Sequence, residues 1–191
     1  MIYRLLKKSE LNLLGDIDRR EIVNEVYHYK SNKLKIVNKF YNIEGWNLIE
    51  LNEYIYMLKD IYERHEKIYG VFKNDKIVGI AALESKLIGE KLDQVKLDIL
   101  YISNSYWKHG VGKSLVKLVS KDAVNMGAKG LYISATPFKN TVDFYFALGA
   151  RVTNDINREL FDLEPLDIHM ILDLWYLKFY KQKDIMRCYR I

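Results

Sequence analysis

Apolar and polar positions alternate through "KLKIVNKFY", whereas in "NLIELNEYIYMLKDIYERHEK" the apolar residues return every three or four positions. The first pattern predicts a strand. The second predicts an amphipathic helix with Leu48, Leu51, Ile55, Leu58 and Ile61 or Tyr62 on one face. Upstream, "IYRLL" reads as a short strand, and "SELNLLGDIDRREIVNEVYHY" reads as helical, capped by Ser9 and broken at Gly15, with Ile22, Val23, Val26 and Tyr27 continuing the face. Downstream, "IYGVFKNDKIVGIAALE" is two apolar runs joined by Lys73, Asn74 and Asp75, a hairpin signal. The strand "QVKLDILYIS" follows, then a glycine loop and an apolar-periodic helix that stops at Gly127. The strand "LYISA", the short helix "NTVDFYFALGA", the strand "RVTND" and the strand "DIHMILDL" complete a mixed order. Its centre, between Gln94 and Asp155, is strand-helix-strand-helix-strand.

A chain of 191 residues with 49% hydrophobic content can bury a core as one domain, and no repeat, low-complexity run or linker divides it. The single cysteine, Cys188, excludes an internal disulfide and suits a reducing cytoplasm. Charges interrupt the amino-terminal apolar residues, and no window reaches the roughly 18 apolar residues of a membrane span, so no membrane partner is expected. The net charge of +5 is concentrated in the tail, where Lys178, Lys181, Lys183, Arg187 and Arg190 outnumber Asp184. Such a tail reads as a solvated face or a subunit contact, which admits a homodimer, rather than as a nucleic-acid site. The four histidines have no zinc-like spacing, and no metal is expected.

In "WKHGVGKSLVKLV", Gly112, Lys113 and Ser114 spell the end of a nucleotide P-loop. That motif needs a glycine five positions earlier, where amides wrap the phosphates, and Trp107 stands there instead. What remains is a loop with Gly110 and Gly112 running into a helix. Its free amides suit a phosphate or pyrophosphate, or else the glycines simply make a tight turn.

The hairpin "IYGVFKNDKIVGIAALE", the strand "LDILYIS", the loop "WKHGVGKSL", the strand "LYISATP" and "NTVDFYFALGA" come in an order that resembles the GNAT superfamily of acyl-CoA-dependent N-acetyltransferases. The resemblance covers residues 68 to 155 well and the first third loosely. Trp107 replaces the Gln or Arg that opens the family's loop pattern. "EPLDIHM", Glu164 to Met170, also resembles a subgroup of bacterial relatives. The implied fold is α/β (mixed α+β), with a mostly antiparallel sheet containing a splayed parallel pair and flanked by helices. The implied layout is one domain: a substrate-side helical part over 1–67, an acetyl-CoA core over 68–155, and a final strand with the basic tail over 156–191.

The implied reaction moves an acetyl group from acetyl-CoA, as cosubstrate, to a primary amine on a small molecule, peptide or protein by direct attack. The amides of Lys108, His109, Gly110, Val111, Gly112, Lys113 and Ser114 would hold the pyrophosphate, with Lys108, His109 and Lys113 adding positive charge. Main-chain groups of Leu100, Tyr101 and Ile102 on the splayed strand would pair with the pantetheine, an amide of Tyr101 or Ile102 facing the thioester oxygen. Tyr145 would protonate the departing thiolate, and Asn140 would cap its helix or bond the coenzyme. Alternation places Asp98 on the same face as Ile102, making it a candidate base, or else a salt-bridge partner. Glu21, Glu25 and Glu66 are further carboxylates on the substrate side. A coenzyme-binding module without turnover, and a P-loop nucleotide-binding protein, are the alternatives.

Overall fold

The computed structural model describes residues 1–174, and the basic tail with Cys188 lies outside them. Among the described residues, seven strands form one sheet in the order β1-β4-β5-β6-β7-β9-β8. They are β1 (Ile2–Leu5), β4 (Ile68–Lys73), β5 (Lys76–Leu83), β6 (Gln94–Ile102), β7 (Gly130–Ala135), β8 (Arg151–Val152) and β9 (Ile168–Asp173). Every neighbouring pair is antiparallel except β6 and β7, which are parallel. The helix α1 (Leu48–Glu63) and a 3-10 segment over Lys8–Asp16 cover one face, burying Leu58, Ile61, Leu11 and Leu14 against Ile80, Ala82 and Ile99. On the other face lie α2 (Val111–Asn125) and α3 (Lys139–Ala147), whose Leu115, Val119, Val142 and Tyr145 share a core with Leu97, Leu131 and Met170. Among the described residues no helix is long and apolar enough to cross a membrane.

The helix expected through Ser9–Tyr29 is not what forms. Lys7, not Ser9, occupies the cap of the 3-10 segment, and Glu21–Lys30 is a strand, β2, paired with β3 (Lys33–Ile43) in a separate ribbon. Ile22, Val23, Val26 and Tyr27 suit a helical face as well as a strand, but β-branched and aromatic residues pack better on a pleated surface. The turn decides the matter. Ser31 and Asn32 both have positive φ, 50° and 59°, as a two-residue hairpin connection requires. Asn74 and Asp75 do the same between β4 and β5. The part of the chain before residue 68 is therefore mixed rather than helical, and Leu48, expected on the buried face of α1, is 78% exposed. The expected strand over "RVTND" shortens to Arg151–Val152, and a short helix not foreseen, α4 (Arg158–Leu163), is capped by the Asn157 side chain.

The ribbon is docked by its own polar groups. The Tyr27 amide donates to the Pro137 carbonyl at 2.7 Å, and the Tyr27 hydroxyl donates to Asp143 of α3 at 2.7 Å. β2 therefore runs alongside the start of α3, bringing His28 and Tyr29 toward the β8 and β9 end of the sheet.

Candidate functional site

Pairing between β6 and β7 is confined to Gln94–Lys96 against Gly130–Tyr132. Beyond Lys96 the two strands part. The cause is in β6, where Ala82 pairs with Ile99 but Leu83 pairs with Leu97, so that Asp98 is an extra, bulged residue. A bulge bends its strand and reverses the alternation after it. The expected common face of Asp98 and Ile102 is thereby broken: Leu97 belongs to the α2 side, Ile99 to the α1 side, and Ile102 again to the α2 side.

Past the bulge, the β7-facing edge of β6 pairs with no other strand among the described residues. Ser103 N–H donates to Val78 of the neighbouring strand at 2.9 Å, so alternation turns the Tyr101 amide toward β5 as well. The Leu100 and Ile102 amides point the other way, into the gap. Tyr101 thus does not offer the amide expected of it. Its ring packs on the α1 side against Trp46, 4.9 Å between centroids, and Tyr54, 5.5 Å between centroids.

At the end of that edge, Trp107 donates its indole N–H to the Ile102 carbonyl at 2.8 Å. This contact ties the glycine loop to the splayed strand. The loop continues through Lys108 (φ 61°) and Gly110 (φ 79°) into α2, and the Cβ that Gly112 lacks would lie 3.0 Å from the Phe144 ring of α3. Ser114 N–H is already engaged by the Gly110 carbonyl at 3.0 Å, so it is not among the free amides. Those of Lys108, His109, Gly110, Val111, Gly112 and Lys113 make no hydrogen bond to another described residue. Lys108, His109 and Lys113 are exposed around them.

Tyr145 projects from α3 into the same core, 7% exposed, and its hydroxyl has no hydrogen bond to a described residue. Burial, and then the negative charge of Asp167, push the phenol well above its ordinary pKa, so it keeps its proton. Asn140 does not occupy the cap of α3, where Phe138 stands. Its side-chain oxygen instead accepts from the Thr141 amide at 3.1 Å, and the carboxamide partly offsets the rise of the Glu21 carboxyl, which is raised chiefly by burial.

Asp98 has a buried side chain, 2% exposed, ion-paired with Lys96. Lys96 also acts on Glu84 and Asp167, placing one ammonium among three carboxylates at the base of the gap. Asp167 precedes β9 and accepts a hydrogen bond from Ser134 of β7 at 2.9 Å. Burial pushes its carboxyl up to about 6, Glu164 adds to the rise, and Ser134 and Lys96 oppose it. The sequence reading missed this residue. The segment Glu164–Met170 stands out in the sequence, but nothing in it singles out this aspartate, whose environment comes from segments far apart in the chain.

Asp167 also lines a small cleft of about 70 Å³ that opens to solvent between β2, β8 and α4. Its walls are mostly apolar and aromatic, from Tyr29, Ile156, Phe161 and Leu166, with His28 and His169 alongside. Of the other carboxylates named from sequence, Glu66 lies by Arg64 and Ser85, away from this cleft.

The model of the acetyltransferase (GNAT) family matches residues 34–150. The chain belongs to that family. No curated protein sequence matches it. Among solved structures it is similar in fold to nourseothricin acetyltransferase, with a TM-score of 0.67 at 13% identity over 91% of this chain and 98% of that one. It is also similar to a putative streptothricin acetyltransferase from Bacillus anthracis in complex with acetyl coenzyme A (TM-score 0.60, 16% identity, 90% of this chain and 96% of that one). A third is the PaiA N-acetyltransferase from Thermoplasma acidophilum in complex with coenzyme A (TM-score 0.58, 15% identity, 90% and 98%). At these identities the likeness is one of fold, and the splayed, mostly antiparallel sheet is the family's architecture.

Proposed function

We propose that the protein is an acetyl-CoA-dependent N-acetyltransferase whose acceptor is a primary amine attacking directly. The observation that carries this reading is the run of amides from Lys108 to Lys113 that bond no other described residue, continuous through the Trp107–Ile102 bond with the open edge of β6. Six N–H groups at a helix start suit a pyrophosphate, and a strand edge exposing the Leu100 and Ile102 amides suits the two amide groups of a pantetheine arm. Bound there, acetyl-CoA supplies an acetyl thioester.

The chain's own groups divide the remaining work. An edge amide of β6 polarises the thioester carbonyl. Asp167, at the junction of the cleft and the gap, takes the proton of the incoming ammonium, and a carboxyl poised near 6 is ionised yet basic enough at neutral pH. Tyr145 donates its proton to the sulfur as the carbon–sulfur bond breaks and the carbon–nitrogen bond forms. Asp98, neutralised by Lys96, positions that lysine rather than acting as the base. The apolar cleft beside Asp167 receives the amine-bearing molecule.

The test is thermal unfolding with acetyl-CoA or with ATP and magnesium, followed by thiol release with a panel of primary amines. Stabilisation by acetyl-CoA alone and amine-dependent thiol release are expected. Tight acetyl-CoA binding with no transfer to any amine would leave a coenzyme-binding module, and stabilisation by ATP with magnesium would restore the nucleotide reading.

A further inference from the structure

His169 lies two residues after Asp167. It is 4% exposed, and it lines the same cleft. Its Nδ1 is 2.7 Å from the Tyr132 hydroxyl, while its Nε2 is buried with no partner among the described residues. The Tyr132 oxygen in turn accepts the Asn157 amide at 3.1 Å.

These contacts fix the tautomer. A phenol has one proton, and Tyr132 is 1% exposed, so that proton needs an acceptor. If Nδ1 carried the imidazole proton, the phenol proton and the Nε2 lone pair would both be stranded. With the proton on Nε2, Tyr132 donates to Nδ1, and only one group, Nε2–H, is left over. Burial also lowers the His169 pKa, which favours the neutral ring. A buried donor without a partner is unfavourable, and a ligand entering the cleft that His169 lines can relieve it.

We propose that His169 Nε2–H is a recognition donor, and that the amine acetylated by this protein carries an oxygen acceptor, a hydroxyl or carbonyl, a few bonds from its nitrogen. Asp167 and His169 point to the same side of the sheet, since Ser134, the partner of the Asp167 carboxylate, is the residue paired with His169. Two residues along a strand separate them by roughly 7 Å. A molecule that places its amine at Asp167 and its oxygen at His169 therefore spans about three to five bonds between the two atoms. The inference rests on the acetyltransferase reading and names the class of its acceptor.

Matched amines test it: 4-aminobutan-1-ol and n-pentylamine have similar length and basicity and differ in the oxygen. Wild type should favour the amino alcohol by about tenfold in kcat/KM, the size of one satisfied buried donor. In His169→Phe the ratio of the two kcat/KM values should collapse to near one. His169→Gln, which retains an N–H donor, should recover part of it. Nitrogen NMR of the histidine ring in the wild-type protein should show the proton on Nε2. Equal transfer to both amines by wild type, a ratio unchanged in His169→Phe, or an Nδ1-protonated ring would each overturn this inference alone. Transfer to no amine would overturn the acetyltransferase reading and this inference with it.

Discussion

The indole of Trp107 and the carbonyl of Ile102 are joined by a 2.8 Å hydrogen bond that closes the turn between the splayed strand and the glycine loop. The residue that departs from the family's loop pattern thus holds the loop to the strand edge by its own donor. Trp107→Phe keeps an aromatic, though smaller, ring and removes the donor, so we expect a stability loss of about 1–2 kcal/mol and a several-fold rise in KM for acetyl-CoA, with kcat little changed. Denaturant unfolding and steady-state kinetics measure both. An unchanged KM would show that the bond does not shape the coenzyme loop.

The two loop glycines should respond differently. Gly110 has φ 79° with nothing within 4 Å of a built Cβ, so Gly110→Ala should cost roughly 1–2 kcal/mol of backbone strain without a clash. At Gly112 the added methyl meets the Phe144 ring at 3.0 Å and the Ile102 side chain at 3.3 Å. Gly112→Ala should push the start of α2 away from α3 and cost about 1–3 kcal/mol, together with most of the stabilisation by acetyl-CoA. Asparagine tolerates the left-handed region, so Gly110→Asn should retain that stabilisation. Thermal shifts with and without acetyl-CoA give the comparison, and equal behaviour of Gly110→Asn and Gly112→Ala would remove the steric argument.

How far this site could be read from sequence depended on whether its parts were local. The hairpin at Asn74–Asp75, the glycine loop and the Tyr145 helix carry their signals within a few residues, and each was legible. The β2–β3 ribbon was not, because Ile22, Val23, Val26 and Tyr27 satisfy two periods at once and only the left-handed pair Ser31–Asn32 separates them. The bulge at Asp98 is one residue inserted against β5, which single-strand alternation cannot show. Asp167 acquires its character from Ser134, Glu164, Lys96 and burial. Only the fold assembles these.

That character predicts a pH-dependent cost. The Asp167 carboxyl sits at about 6 in the folded protein, against an ordinary 3.8. Well below pH 3.8 it is neutral in both states and costs nothing. As pH rises toward 6 the unfolded chain ionises first, so folding stability falls, and above the folded value the cost is complete. Asp167→Asn, which can still accept from Ser134, removes the ionisation. Its stability relative to wild type should grow between pH 4 and pH 7 by about 1–2 kcal/mol, less than two full pKa steps because the side chain is partly exposed. Urea unfolding across that range reads the difference directly. A gap independent of pH would mean that the carboxyl is not raised.

Tyr145 supplies the last prediction. Its ring is part of the core, and its hydroxyl is held protonated by burial and by the charge of Asp167, with no hydrogen bond to a described residue. Tyr145→Phe preserves the packing and deletes the proton donor, so the folded state and acetyl-CoA affinity should be nearly unchanged. If the phenol protonates the departing thiolate, kcat should fall by about 10² to 10⁴, or less where water substitutes. A purely structural tyrosine would leave kcat near wild type, because removing a hydroxyl that bonds no described residue costs little. Single-turnover transfer at saturating acetyl-CoA, with the best amine of the panel, isolates the chemical step from product release. An unchanged single-turnover rate would take Tyr145 out of the reaction, and a fall in acetyl-CoA affinity with a normal rate would make it a binding residue instead.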